Sequence, residues 1–256
     1  MAGSYFAEVN DMEFTVCLAG INVAVNSLFN EVYDYCRDYL TDEPADMNVT
    51  VTPEDILYEK KHNINEAQIE GIQAVDYPDS YLETLAVYRK IVTKMLDFDT
   101  FLMHGAVVAV GDKAWLFTAP SGTGKTTHIN LWLKNIPGSY VVNGDKPLIH
   151  IGEECTVYGT PWAGKEGMNS NVGVKLCGIV FLNRGTDNQI EKVPMNMVLP
   201  MFIQQCYRPR DKAGLEKTLM LLSRLGKKIP MYQLYCNMND EAAFTAYNVL
   251  SGAAHE

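Results

Sequence analysis

The residues best suited to chemistry lie between 119 and 127, where the chain reads Ala119-Pro120-Ser121-Gly122-Thr123-Gly124-Lys125-Thr126-Thr127. A loop that cradles phosphate follows the pattern G-x-x-x-x-G-K-[ST] between a strand and a helix. Gly124, Lys125 and Thr126 stand in register with that pattern, and Ala119 replaces its first glycine. A small residue serves there if its φ is negative. Gly122 and Gly124 let the backbone wrap without a Cβ, so that amides from Ser121 to Thr127 converge on phosphate oxygens. Lys125 is placed to neutralise the β and γ oxygens, and the Thr126 hydroxyl to ligate Mg2+. The other reading is a glycine-rich connection with an incidental lysine. A second acid ends the short apolar run Val141-Val142-Asn143-Gly144-Asp145. A Mg2+-directed carboxylate would sit there, although Asn-Gly-Asp also favours a plain turn.

The elements that must position these groups read clearly. Residues 106–110 and 113–117 read as two strands joined by Gly111-Asp112, an antiparallel hairpin whose second strand runs into the loop. Ile129, Leu131, Trp132 and Leu133 continue as a helix. Further strands are expected at 139–143, 147–151, 155–159, 175–182, 189–193 and 231–236. Helices are expected at 195–205, 213–226 and 240–250. Before the loop, 13–25 reads as a hairpin around Ala19-Gly20, 28–40 as a helix, 47–51 as a strand, and 79–97 as a helix. Thr52-Pro53-Glu54-Asp55 resembles a helix N-terminus. Polar residues 63–80, with Gly71 and Pro78, mark the expected boundary between a region 1–78 and a core 79–256.

Met103-His104-Gly105 before the hairpin, SGTGKTT at 121–127, NGD at 143–145 and GTPWAGKE at 159–166 together resemble the HPr kinase/phosphorylase family and, more distantly, phosphoenolpyruvate carboxykinases. The resemblance covers about residues 100–185. It implies an α/β core with a mixed, largely antiparallel sheet around the phosphate loop, preceded by a small α+β N-terminal region. It also implies a kinase that uses ATP and Mg2+, with a serine or threonine hydroxyl of a peptide or small protein, or a small-molecule hydroxyl, as acceptor. His104 would lie beside the catalytic acid and orient or relay a proton. The family's first aspartate is replaced here by Gly144, so either Asp145 serves both the metal (with Thr126) and the acceptor hydroxyl, or the base comes from elsewhere, or transfer relies mainly on positioning and charge. Lys165, on a mobile loop over the phosphates, would bring charge to the transferring group, and Arg208 would contact substrate phosphate or carboxylate.

Composition bounds the alternatives. Apolar residues make up 47% and charged residues 20%, which suits a globular chain and excludes disorder. The apolar run Leu176–Leu182 is far short of the ~18 residues of a membrane span. No Lys or Arg precedes Arg37, so a secretory leader is not expected and the cytoplasm is the default location. Residues 1–80 hold 16 acids against Arg37, Lys60 and Lys61, whereas the rest holds 15 acids against 18 bases. No basic face for nucleic acid stands out. The acidic first third is a solvated face or a dock for a basic partner, and a homo-oligomer is compatible with the sequence. The rival function is a nucleotide-binding regulator without turnover that uses this acidic region. The six cysteines (Cys17, Cys36, Cys155, Cys177, Cys206 and Cys236) show no C-x-x-C pair and read as scattered core thiols.

Overall fold

The structure is a computed structural model and describes residues 12–253. Residues 1–11, which bear on the expected absence of a leader, lie outside the described residues. The chain divides into two compact units, with the division after Lys94.

In the first unit, β1 (Met12–Leu18) and β2 (Ile21–Ser27) form the expected antiparallel hairpin. Both turn residues, Ala19 and Gly20, have positive φ, which matches the twist of a two-residue hairpin. β3 (Met47–Thr50) adds to β2 in parallel. The alternation buries Phe14, Val16, Leu18, Val23 and Val25 on one face. The helix expected over 28–40 is shorter: α1 spans Asn30–Tyr35 and a 3-10 turn, Arg37–Tyr39, follows it. The tighter turn keeps both Cys36 and Tyr39 buried. α1 begins late because the amides of Leu28 and Phe29 donate to the buried Glu83 carboxylate at 2.6 and 2.9 Å.

α2 (Pro53–Glu70) starts at a capping box, with the Thr52 amide donating to Asp55 Oδ2 at 3.0 Å. It runs well into the stretch read as a boundary. Gly71, in the left-handed region, ends it, with the Gly71 and Ile72 amides bonded to the Gln68 and Ala67 carbonyls. α3 (Asp79–Met95) groups with this unit, whereas the sequence placed it at the start of the core. Its side chains explain why. Glu83 serves α1, Arg89 pairs with Asp55 and Glu59, and Lys90 and Lys94 donate to carbonyls of β3.

The second unit is mixed α/β. A nine-stranded sheet is built from β4 (Thr100–Leu102), β5 (Ala106–Val110), β6 (Lys113–Thr118), β7 (Ser139–Asn143), β8 (Leu148–Ile151), β9 (Cys155–Tyr158), β10 (Gly173–Arg184), β11 (Gln189–Val193) and β12 (Met231–Cys236). Its path is β4-β8-β9-β10-β6-β5-β7, and β12, carrying β11, joins the far half of β10. Pairing is antiparallel except between β10 and its neighbours β6 and β12. The sheet forks because β9 pairs only with Gly173–Lys175 and β12 takes over from Ile179.

Helices cover both faces. α5 (Met195–Gln205) and α6 (Lys212–Lys228) bring Phe202, Leu221 and Leu225 against Val107, Ala109, Leu116 and Phe181. α4 (Lys125–Asn135) and α7 (Glu241–Ala253) bring Ile129, Trp132, Ala246 and Leu250 against Val108, Trp115, Phe117 and Leu234. Strands apolar on both faces, such as AVVAV, are what a sheet buried between two helical layers requires. Seven α-helices lie among the described residues, and none is long and apolar enough to cross a membrane.

Candidate functional site

Three segments meet at one end of adjacent strands. In the β5–β6 hairpin Ala106 pairs with Phe117, so His104 and Gly105, just before β5, lie level with the exit of β6 into the 119–124 loop. On the other side of β5, Asn143 at the end of β7 pairs with Val107, which brings Gly144 and Asp145 alongside. Backbone bonds fix the arrangement. The Gly105 amide donates to the Asp145 carbonyl at 2.9 Å, the His104 amide to the Gln205 carbonyl at 2.7 Å, and the Thr118 hydroxyl to the His104 carbonyl at 2.7 Å.

The loop turns through Gly122 at φ +74° and Gly124 at φ +122°, both open around the missing Cβ, so conformation rather than space requires glycine there. Ala119 is fully buried and is not among the positive-φ residues, which removes the objection to its standing where the pattern has glycine. The Thr123 amide and hydroxyl both donate to the Pro120 carbonyl, at 3.3 and 2.8 Å. Gly124 caps α4 with no side-chain bond, leaving the first-turn amides without a side-chain acceptor. Lys125 folds back, donating to the Ala119 carbonyl at 2.8 Å. Its pKa is lowered, mainly by burial, with Asp145 opposing and Lys146 adding to the shift. Open amides, a helix N-terminus and a half-buried ammonium make a setting in which an anion is stabilised. Ser121, Thr126 and Thr127 are exposed around it.

Facing this loop is a side-chain network. His104 Nε2 lies 3.0 Å from Asp145 Oδ1, and His104 Nδ1 lies 2.8 Å from Gln205 Oε1, so both ring nitrogens are engaged and the ring is fixed. Lys146 pairs with Asp145 Oδ2. Burial works against ionisation of Asp145, but the His104 bond and the Lys146 charge outweigh it and hold the carboxyl well below its usual range. Beneath, the buried Asn143 accepts from the Asp145 and Lys146 amides at 2.9 and 2.7 Å and donates to the Thr160 carbonyl at 3.0 Å. The Thr160 hydroxyl donates to the Lys146 carbonyl at 2.9 Å, closing the cycle.

The 159–167 segment packs directly onto this turn. A Cβ on Gly144 would stand 2.8 Å from the Ala163 carbonyl oxygen, and one on Gly164 would stand 3.0 Å from Asp145 Cβ. A side chain at 144 would therefore have to displace backbone. Thr160, Pro161, Trp162 and Ala163 are buried, so of the loop expected to be mobile, 160–166, only 164–166 is exposed. Lys165 sits on that exposed tip, one residue from the Asp145 contact. Arg208 is also exposed; among the described residues no bond ties it to His104, Asp145 or the loop. The structure thus brings together His104, Asp145, Gly122, Thr123, Gly124 and Lys125, and leaves Arg208 outside the network.

Lys146, Gln205 and Arg184 were not singled out from the sequence, and Asn143 and Thr160 stood inside the NGD and GTPWAGKE motifs without a role. Lys146 adjoins Asp145 in the chain and was legible as a neighbouring charge. Gln205 lies 101 residues from His104, and no local pattern signals that pairing.

For a divalent cation the donors are the Thr126 hydroxyl and Asp145, whose two oxygens each keep a lone pair beyond the bonds to His104 and Lys146. Among the described residues no group of three or more His, Cys, Asp or Glu side chains could hold a metal alone. A cation held by two such groups needs further oxygens from a ligand to complete its shell. No protein-family model matches the chain, and no curated protein matches it.

Proposed function

We propose that the chain is an ATP- and Mg2+-dependent phosphotransferase with an HPr kinase/phosphorylase-like core, acting on a hydroxyl of a peptide, a small protein or a small molecule. The observation that carries this reading is the placement of the bonded His104–Asp145 pair beside the Lys125 loop, at the common end of β5, β6 and β7. The antiparallel hairpin feeding the loop supports the family assignment, since a parallel βαβ unit would put a crossover helix there.

In this reading amides of the Ser121–Thr127 segment other than that of Thr123, which is bonded to the Pro120 carbonyl, hold the β- and γ-phosphates with the Lys125 ammonium. Thr126 and Asp145 hold Mg2+, which supplies charge neutralisation at the phosphate oxygens. His104, locked by Gln205, holds Asp145 towards the acceptor hydroxyl. A carboxyl with a lowered pKa is a weak base, so Asp145 orients the hydroxyl more than it deprotonates it. Rate enhancement then comes mainly from alignment and positive charge, which phosphoryl transfer tolerates. Lys146 and the exposed Lys165 supply that charge, and Arg208 is kept as a contact for acceptor groups outside the network.

The same weak basicity, with Gly144 closed to a second carboxylate, favours one further reading: a nucleotide-binding regulator that docks a partner through exposed acids such as Asp34, Asp38, Asp42 and Glu43. Incubation with γ-labelled ATP, Mg2+ and hydroxyl acceptors separates the two. Label transfer that depends on the acceptor supports the kinase; tight ATP binding with neither transfer nor hydrolysis supports the regulator.

A further inference from the structure

We infer that Arg184 is a positioning residue that holds the 119–124 loop in the shape an anion needs; this rests on the phosphate-loop reading above. β10 runs parallel to β6 with Phe181 opposite Thr118, so its last residue reaches the level of the loop. From there Arg184 Nε donates to the Thr123 carbonyl at 3.2 Å and Nη2 to the Gly122 carbonyl at 2.5 Å. In a trans peptide the carbonyl and the following amide point in opposite directions. Holding the Thr123 carbonyl on the arginine side therefore turns the Gly124 amide to the other side. Holding the Gly122 carbonyl does the same for the Thr123 amide, which meets the Pro120 carbonyl at 3.3 Å.

The tether acts where the chain most needs one. Gly122 and Gly124 have the widest conformational choice of any residue type, and a free loop would sample many shapes before a ligand arrived. The rigid guanidinium fork spans two successive carbonyls, which a single ammonium does not reproduce. Its charge also stands behind the loop and adds to the field that attracts a polyanion. Arg184 is exposed, so replacing it removes the tether without opening the core.

The test uses the full chain and two probes, tripolyphosphate and MgATP, titrated by calorimetry into the wild type, Arg184→Met and Arg184→Lys. Hydrogen exchange is read on peptides covering 119–127 in the ligand-free proteins. The expected result is an unchanged unfolding midpoint, ~10-fold weaker binding of both probes by Arg184→Met, faster loop exchange, and only partial recovery in Arg184→Lys. Equal affinity and equal exchange in Arg184→Met would overturn the role of Arg184 while the phosphate loop stood. Full recovery by Arg184→Lys would overturn the fork in favour of charge alone. A wild type that binds neither probe would overturn the phosphate-loop reading, and the inference with it.

Discussion

Acidification should weaken the second unit through one residue, His128, in the first turns of α4. Its ring is 2% exposed, lies against Phe117, and accepts a bond from Trp132 Nε1 at its Nε2, 3.1 Å away. Burial pushes its pKa down to about 4 from 6.5. The unfolded chain therefore binds this proton more readily than the folded one. Stability is intact above pH 6.5 and is lost as pH falls from there through about 4. The linkage gives a loss of about 2 kcal/mol at pH 5, approaching about 3 kcal/mol below the folded value. All three tryptophans, Trp115, Trp132 and Trp162, lie in the second unit, so urea unfolding followed by tryptophan fluorescence reports that unit alone. His128→Gln keeps an oxygen to accept from Trp132 but does not titrate. Between pH 7.5 and 5 the wild type should lose about 2 kcal/mol more than His128→Gln. Equal losses in the two proteins would refute the assignment of a neutral, buried His128.

Other substitutions test other joints of the structure. Gly144→Asp should not add a working second acid; with the Ala163 carbonyl 2.8 Å from the new Cβ, it should destabilise the second unit by about 1–3 kcal/mol in the same assay, and a stable, more active variant would contradict the packing. Glu83→Ala leaves the half-buried amides of Leu28 and Phe29 without their acceptor and should cost about 3 kcal/mol, whereas Glu83→Gln keeps one acceptor and should cost about half; hydrogen exchange at residues 28–35 reads the difference. Asp145→Asn should abolish Mg2+-dependent phosphotransfer in a protein that still folds but unfolds at lower urea, because the pairs with His104 and Lys146 lose their charge; full activity in that variant would remove Asp145 from the site.

Local pattern and long-range contact account for what the sequence made legible. The β1–β2 hairpin was readable from alternation around Ala19-Gly20, and the β5–β6 hairpin and the strands from 139 to 193 from short apolar runs between turn residues, all of them local signals. α2 was cut short in the reading because residues 63–70 are polar and weakly periodic; helix formers such as Glu66, Ala67 and Gln68, with Gly71 as stop, carry it instead. β4, only three residues long, has too little sequence to show a period. The His104 ring could be suspected from its position, but its lock by Gln205 and the Arg184 tether join residues 101 and 61–62 positions apart. Gly144 looked like a lost acid in the sequence; the approach of Ala163 makes it a packing requirement.

The central claim is that the Ser121–Thr127 segment and Lys125 hold a triphosphate beside His104 and Asp145. Calorimetric titration of MgATP into the wild type and Lys125→Ala tests it most directly. The account predicts saturable one-site binding by the wild type and at least ~10-fold weaker binding by the variant, because a half-buried ammonium at the base of the loop is lost. Equal affinity in the two proteins, or no binding by the wild type, would contradict it.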